Sequence, residues 1–126
     1  PAEVIEAGAR TYLGTLASQP AFTQSLVIEA VASTDRIRAR RSQGLADFAG
    51  VLVQHLRRVR GAAGPDPAPT SSDRALLVGA LGGVNELVVQ HLGSASVATL
   101  LDILDMARIL LERIVLTPAE RSPIAL

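Results

Sequence analysis

Between about Asp73 and Leu92 the chain is apolar on too many sides for the segment to be an ordinary surface helix. On a wheel of about 3.6 residues per turn, Val78, Leu81, Val88 and Leu92 make one apolar face. Leu76, Ala80, Leu87 and His91 make a second. A helix of this kind has to be covered twice, which restricts the chain to folds that pack neighbours on both faces. Gly79, Ala80 and Gly83 keep the second face low. Each interior glycine costs a helix about 1 kcal/mol relative to alanine, so Gly79, Gly82 and Gly83 together demand a packing reason, and close approach of another helix supplies it.

The other segments follow the same periodicity, and none alternates like a strand. Residues from about Ala2 to Ala17 place Ile5, Ala9, Tyr12, Leu13 and Leu16 on one face. Ser18-Gln19-Pro20 ends that helix and opens a short second one, reaching about Ala32, because proline is tolerated in a first turn. Ser33-Thr34-Asp35 offers capping oxygens to a long third helix ending near Val59, with the stripe Ile37, Leu45, Phe48, Leu52, Leu56 and Val59. Residues 61–70 contain Gly64 and three prolines and read as a surface loop. Thr70 to Asp73 opens the fourth helix with hydroxyls and a carboxylate, and Gly93-Ser94 closes it. A fifth helix, about Ala95 to Leu116, carries Val97, Leu100, Leu101, Leu104, Ala107 and Leu111 along one broad stripe. From Thr117 the tail, with Pro118 and Pro123, is expected to fray.

The expected fold class is therefore all-α: a five-helix domain over residues 1–116 with a tail at 117–126. Helices four and five should form an antiparallel hairpin, and in a monomer so much apolar surface would remain open. Pairing with the same hairpin of a second copy makes a dimeric four-helix bundle; the alternative is that the other three helices wrap both faces within one chain. The expected seam is Leu76, Ala80, Gly83, Leu87 and His91 with Leu100, Leu104, Ala107 and Leu111.

Composition narrows the functional classes. Of 126 residues 48% are hydrophobic but only 2% aromatic, so the core is built from Ala, Leu, Val and Ile. The formal net charge is zero, which argues against a domain that reads nucleic acid by itself. Without cysteine there is no disulfide framework or thiol nucleophile, in keeping with a cytoplasmic protein. The uncharged stretch Leu87 to Leu101 contains Gln90, His91 and the break Gly93-Ser94, too short and polar to cross a bilayer, and no membrane partner is expected. No basic segment followed by an apolar run opens the chain, so no signal peptide is expected; the first residue is Pro1 and not Met, so a processed, truncated or partly represented chain is expected. No nucleophile elbow, phosphate-binding glycine loop or His and carboxylate cluster is present, so neither an enzyme nor a cofactor is expected. Glu86 and His91 are five apart, the wrong spacing for a helical metal pair.

The string from Arg74 to Val88, RALLVGALGGVNELV, followed by an apolar helix ending Ile109-Leu110-Leu111, resembles the C-terminal regulatory domain of TetR-type transcriptional repressors. Tyr12-Leu13-Gly14-Thr15-Leu16-Ala17 with Pro20-Ala21-Phe22, and Ile37-Arg38-Ala39-Arg40-Arg41 with Phe48-Ala49, are similar to two further stretches of that family. The likeness covers Ile5 to about Val115. It implies a ligand pocket among the first four helices, dimerisation through the last two, and an N-terminal helix-turn-helix domain of roughly fifty residues. No part of this chain supplies that domain: Gln19 to Gln24 imitates the turn, but the helix after it has no Arg or Lys to meet phosphates. DNA contact is accordingly expected only through a domain outside this chain. The alternative is a dimeric helical interaction module with no small-molecule ligand.

An effector pocket should be mostly apolar with a few polar groups to orient the ligand. Tyr12, Phe22, Leu26, Phe48, Leu52 and Asn85 meet that description, for a small lipophilic effector. Each also has a plainer reading as core. His55 near the third stripe and His91 near the seam read chiefly as structural. Arg36, Arg38, Arg40 and Arg41, and Arg57, Arg58 and Arg60, read as solvated helix faces, the first run partly neutralised by Asp35 and Asp47.

Overall fold

The computed structural model describes residues 1–31, 34–61 and 71–123, with the side chains of 26–31 and 71–73 excluded. Among the described residues the chain is all-α, with helices α1 (Ala2–Ser18), α2 (Pro20–Val31), α3 (Asp35–Val59), α4 (Ser71–Leu92) and α5 (Leu104–Val115). A 3₁₀ segment, Val97–Ile103, leads into α5, and a single 3₁₀ turn, Pro118–Glu120, follows it.

The first helix is central because its buried residues, Ile5, Ala9, Leu13 and Leu16, recur at four, four and three. It packs against α3, the 3₁₀ segment and α5. Where it meets α3 the backbones come close: a Cβ on Gly8 would stand 2.6 Å from a methyl of Leu52. Beyond its end, Pro20 opens α2, and the fully buried Thr23 donates its hydroxyl to the Leu16 carbonyl at 2.6 Å, tying α2 down.

Thr34 caps α3, its Oγ1 accepting the Ile37 N–H at 3.3 Å. The helix stops after Arg60, where Gly61 adopts a φ of 67°, the left-handed conformation that glycine reaches without a Cβ clash. The expected loop beyond Gly61, with the expected capping residues Ser33 and Thr70, lies outside the described residues.

In α4 the line Leu77, Ala80, Leu81, Val84 and Val88 is buried, packed with α3 and α5. By length and composition alone, Arg74–Leu92 is apolar enough to cross a membrane, but this line belongs to the core shared with α1, α3 and α5. After the turn at 93–96 the chain returns along α4. The fifth segment begins as 3₁₀ and not α: Thr99 leaves helical geometry at φ −100°, ψ 15° and donates its hydroxyl to the Ser96 carbonyl at 2.9 Å.

Two expectations are corrected here. The tail does not fray over Thr117 to Ser122. Glu120 accepts from Arg60 at 2.8 and 3.0 Å and closes a capping box with Thr117, while Ser122 donates to the buried Glu112 at 2.9 Å. The expected seam residues Ala80, Leu100, Leu104, Ala107 and Leu111 are buried within one chain. The fifth stripe was broad enough to face either way, and in the fold its Leu100 to Leu111 side turns toward the core with α1.

Candidate functional site

The first four helices border a half-open cavity of about 530 Å³, within the range of about 300–1,000 Å³ common for small-molecule sites. From α1 it receives Tyr12 and Leu16, and from α2 Phe22 and Ser25. The longest wall is α3, where Ile37, Arg40, Arg41, Gly44, Leu45 and Phe48 repeat at three and four residues and so share a face. Asn85 enters from α4.

One polar pair bridges this largely apolar lining. The Tyr12 hydroxyl donates to Asn85 Oδ1, joining α1 to α4 across 73 positions of sequence. The Tyr12 ring also meets Phe48 of α3, tilted at 44° with centroids 5.4 Å apart. Burial raises the Tyr12 pKa above the ordinary phenol value, with the Asn85 hydrogen bond and the Arg41 charge opposing that rise. The phenol therefore stays protonated at neutral pH and available as a donor. Asn85 keeps its amide N–H groups without a protein partner among the described residues.

Arg40 and Arg41 supply the charge. Neither has an acidic partner among the described residues: Asp35 pairs with Arg38, and Asp47 accepts from Gln43 at 2.9 Å. Among the described residues the cavity lining contains two guanidinium groups and no carboxylate.

Of the residues expected to meet an effector, Tyr12, Phe22, Phe48 and Asn85 line this cavity, Phe22 half exposed. Leu52 does not: it is buried one turn beyond Phe48, against Gly8, and borders a separate groove farther along the same face of α3. The Leu26 side chain lies outside the described residues. Leu16, Ile37 and Leu45 were legible only as helix stripes, and Arg40 and Arg41 only as solvated charge. Their spacing from Phe48 along α3 was the signal that could have gathered them.

At the expected seam, Leu76 is exposed, while Leu87 and His91 are partly covered. The His91 Nε2 lies 2.9 Å from Thr99 Oγ1, a contact within the chain. Gly83 is also occupied internally: a Cβ there would stand 2.9 Å from a Leu110 methyl, so this glycine serves the α4–α5 crossing. The exposed apolar residues beside it are Met106 and Ile114, and Leu87, Met106, Ile109, Leu110 and Arg113 border a shallow groove between α4 and α5. Among the described residues, no three His, Asp or Glu side chains gather as a metal site.

Comparison with family models, curated proteins and solved structures found no match to this chain. The cavity and the exposed groove, with the sequence resemblance, are what a functional reading has to use.

Proposed function

We propose that this chain is the effector-sensing and dimerisation domain of a TetR-type transcriptional regulator acting in the cytoplasm. The observation that carries the reading is the cavity among α1 to α4, apolar in most of its wall and crossed by the Tyr12–Asn85 hydrogen bond. It lies among the helices where the resemblance puts a ligand. Tyr12, Phe48 and Asn85 orient the effector, and Phe22, Leu16, Ile37 and Leu45 receive its apolar body. The dimer forms through α4 and α5, on the side bearing Leu76, Leu87, Met106 and Ile114.

Asn85 and Leu87 sit on the same helix, one at the cavity and the other at the groove. Effector binding that favours one position of α4 shifts the balance between two dimer geometries. The spacing of two helix-turn-helix domains, carried outside this chain, changes with it, and operator affinity follows.

The test is a thermal-shift screen of small apolar compounds against the unaltered chain and against Phe48→Ala and Asn85→Ala. Hits whose shifts disappear in both variants support the reading. Hits that shift all three proteins equally bind elsewhere and remove it. A chain that dimerises but gives no hit favours the interaction-module alternative.

A further inference from the structure

The cavity is apolar within and cationic at α3, and that asymmetry says what kind of molecule it takes. Arg40 and Arg41 both border it, while no acidic side chain does among the described residues, in a chain whose formal net charge is zero. The acidic residues nearest them on α3 are engaged with other groups: Asp35 with Arg38, Asp47 with Gln43. A solvated helix face would ordinarily mix charges of both signs or pair them. Here two adjacent, solvent-exposed guanidinium groups stand without protein partners among the described residues, on the border of a largely apolar, half-open pocket. Arg41 and Tyr12 border the same cavity, and the Arg41 charge opposes the rise that burial gives the Tyr12 pKa.

Resting on the reading of this cavity as the effector site, we propose that its ligand is an amphipathic organic anion, with an apolar body among Leu16, Ile37, Leu45 and Phe48 and one anionic head held by Arg40 and Arg41. Guanidinium forks match a carboxylate bidentately, and such charge-assisted hydrogen bonds are roughly twice as strong as neutral ones. The head stays at the α3 side, where both guanidinium groups remain reachable from water. The body displaces water from apolar wall, and Asn85 has amide N–H groups to spare for any acceptor along it. A neutral lipophile of the same shape gains the burial but leaves the two charges unanswered.

Isothermal titration with decanoate, decanol and decylamine, below their aggregation concentrations, tests this with one chain length and three heads. Decanoate should bind about tenfold more tightly than decanol, the worth of one charge-assisted hydrogen bond, and decylamine more weakly than either. Added salt should weaken decanoate and leave decanol unchanged. The R40M/R41M double variant, altered at exposed positions, should bring decanoate to the affinity of decanol. Equal binding of decanoate and decanol to the unaltered chain, or a preference that survives in the double variant, overturns the anion. If both probes bind equally and both are lost in Leu45→Trp, which fills the cavity, the cavity stands as a site and only the anionic head is refuted. If Leu45→Trp weakens neither, or no probe binds, the cavity reading fails and the proposal fails with it.

Discussion

Two polar pairs hold distant parts of the chain together, and their energies can be separated. The Tyr12–Asn85 bond spans α1 to α4 in a mostly apolar setting, where a lost partner costs more than the net worth of the bond. Tyr12→Phe and Asn85→Leu should each lower stability by about 1 kcal/mol, and the double variant should lose much less than their sum. Urea midpoints at unchanged slope measure it, and strict additivity would show that the pair is not coupled. At the tail, the Arg60 guanidinium holds the Glu120 carboxyl down from 4.5 to about 2, against an opposing effect of burial, with Thr117 donating to it as well. A carboxyl with a folded pKa below its unfolded value stabilises the fold above the unfolded value, and the contribution fades as pH falls toward the folded one. Glu120→Gln should therefore cost about 1 kcal/mol or less near neutrality, and the gap to the unaltered chain should narrow between about pH 4.5 and about pH 2. A gap constant from about pH 6 to about pH 3 would place the stabilisation in packing and not in charge.

At the scale of elements, two glycines decide how closely helices approach. Gly8 admits Leu52 between α1 and α3, and Gly83 admits Leu110 between α4 and α5. Overpacking a fitted core costs about 1–3 kcal/mol, so Gly83→Leu should lower the melting temperature by several degrees as a folding defect, before any effect on assembly. A variant with an unchanged melting temperature would mean that Leu110 has room to move. The value of Gly83 as a sign of close crossing was readable in the sequence; which helix crosses there was not. Periodicity reports that a face is apolar, and a shift of one residue turns a helix by about 100°, enough to exchange Ala107 and Leu111, which are buried, for Met106 and Leu110. The helices themselves were legible because capping and breaking signals are local: Thr34 at the start of α3, Pro20 at the start of α2. The docked tail was not, since Arg60 and Glu120 are 60 positions apart and nothing local pairs them. The same applies to the site: Tyr12 and Asn85 were visible as polar residues among apolar ones, whereas Arg40 and Arg41 acquire meaning only once α3 is folded against α1 and α4.

For the whole molecule, the remaining quantity is apolar surface without a neighbour in the chain. Leu76 on α4 is 55% exposed, and Met106 and Ile114 on α5 are 53% and 39% exposed; Met106 borders the groove with Leu87, Ile109 and Leu110. Such residues scattered singly need no explanation, but on two helices packed against each other they offer apolar surface of the sort that a two-fold interface uses. The proposed dimer needs this side because the opposite side of α5 is spent on the core with α1. A double variant, Leu76→Glu with Met106→Glu, places carboxylates on exposed positions without touching a buried side chain, and so separates assembly from folding. Light scattering should give twice the chain mass for the unaltered protein and the single-chain mass for the variant, with helicity unchanged by circular dichroism. If the variant remains a dimer, the interface lies elsewhere. If the unaltered chain is a monomer at every concentration, the link from cavity through α4 to a partner copy has nothing to act on. A dimer of the predicted kind also makes ligand affinity and assembly reciprocal: whatever the cavity binds must shift dimer dissociation by the factor that dimerisation shifts its own affinity. Decanoate titrated across the dissociation range measures that factor, and a factor of one would leave a cavity and an interface that share α4 without communicating through it.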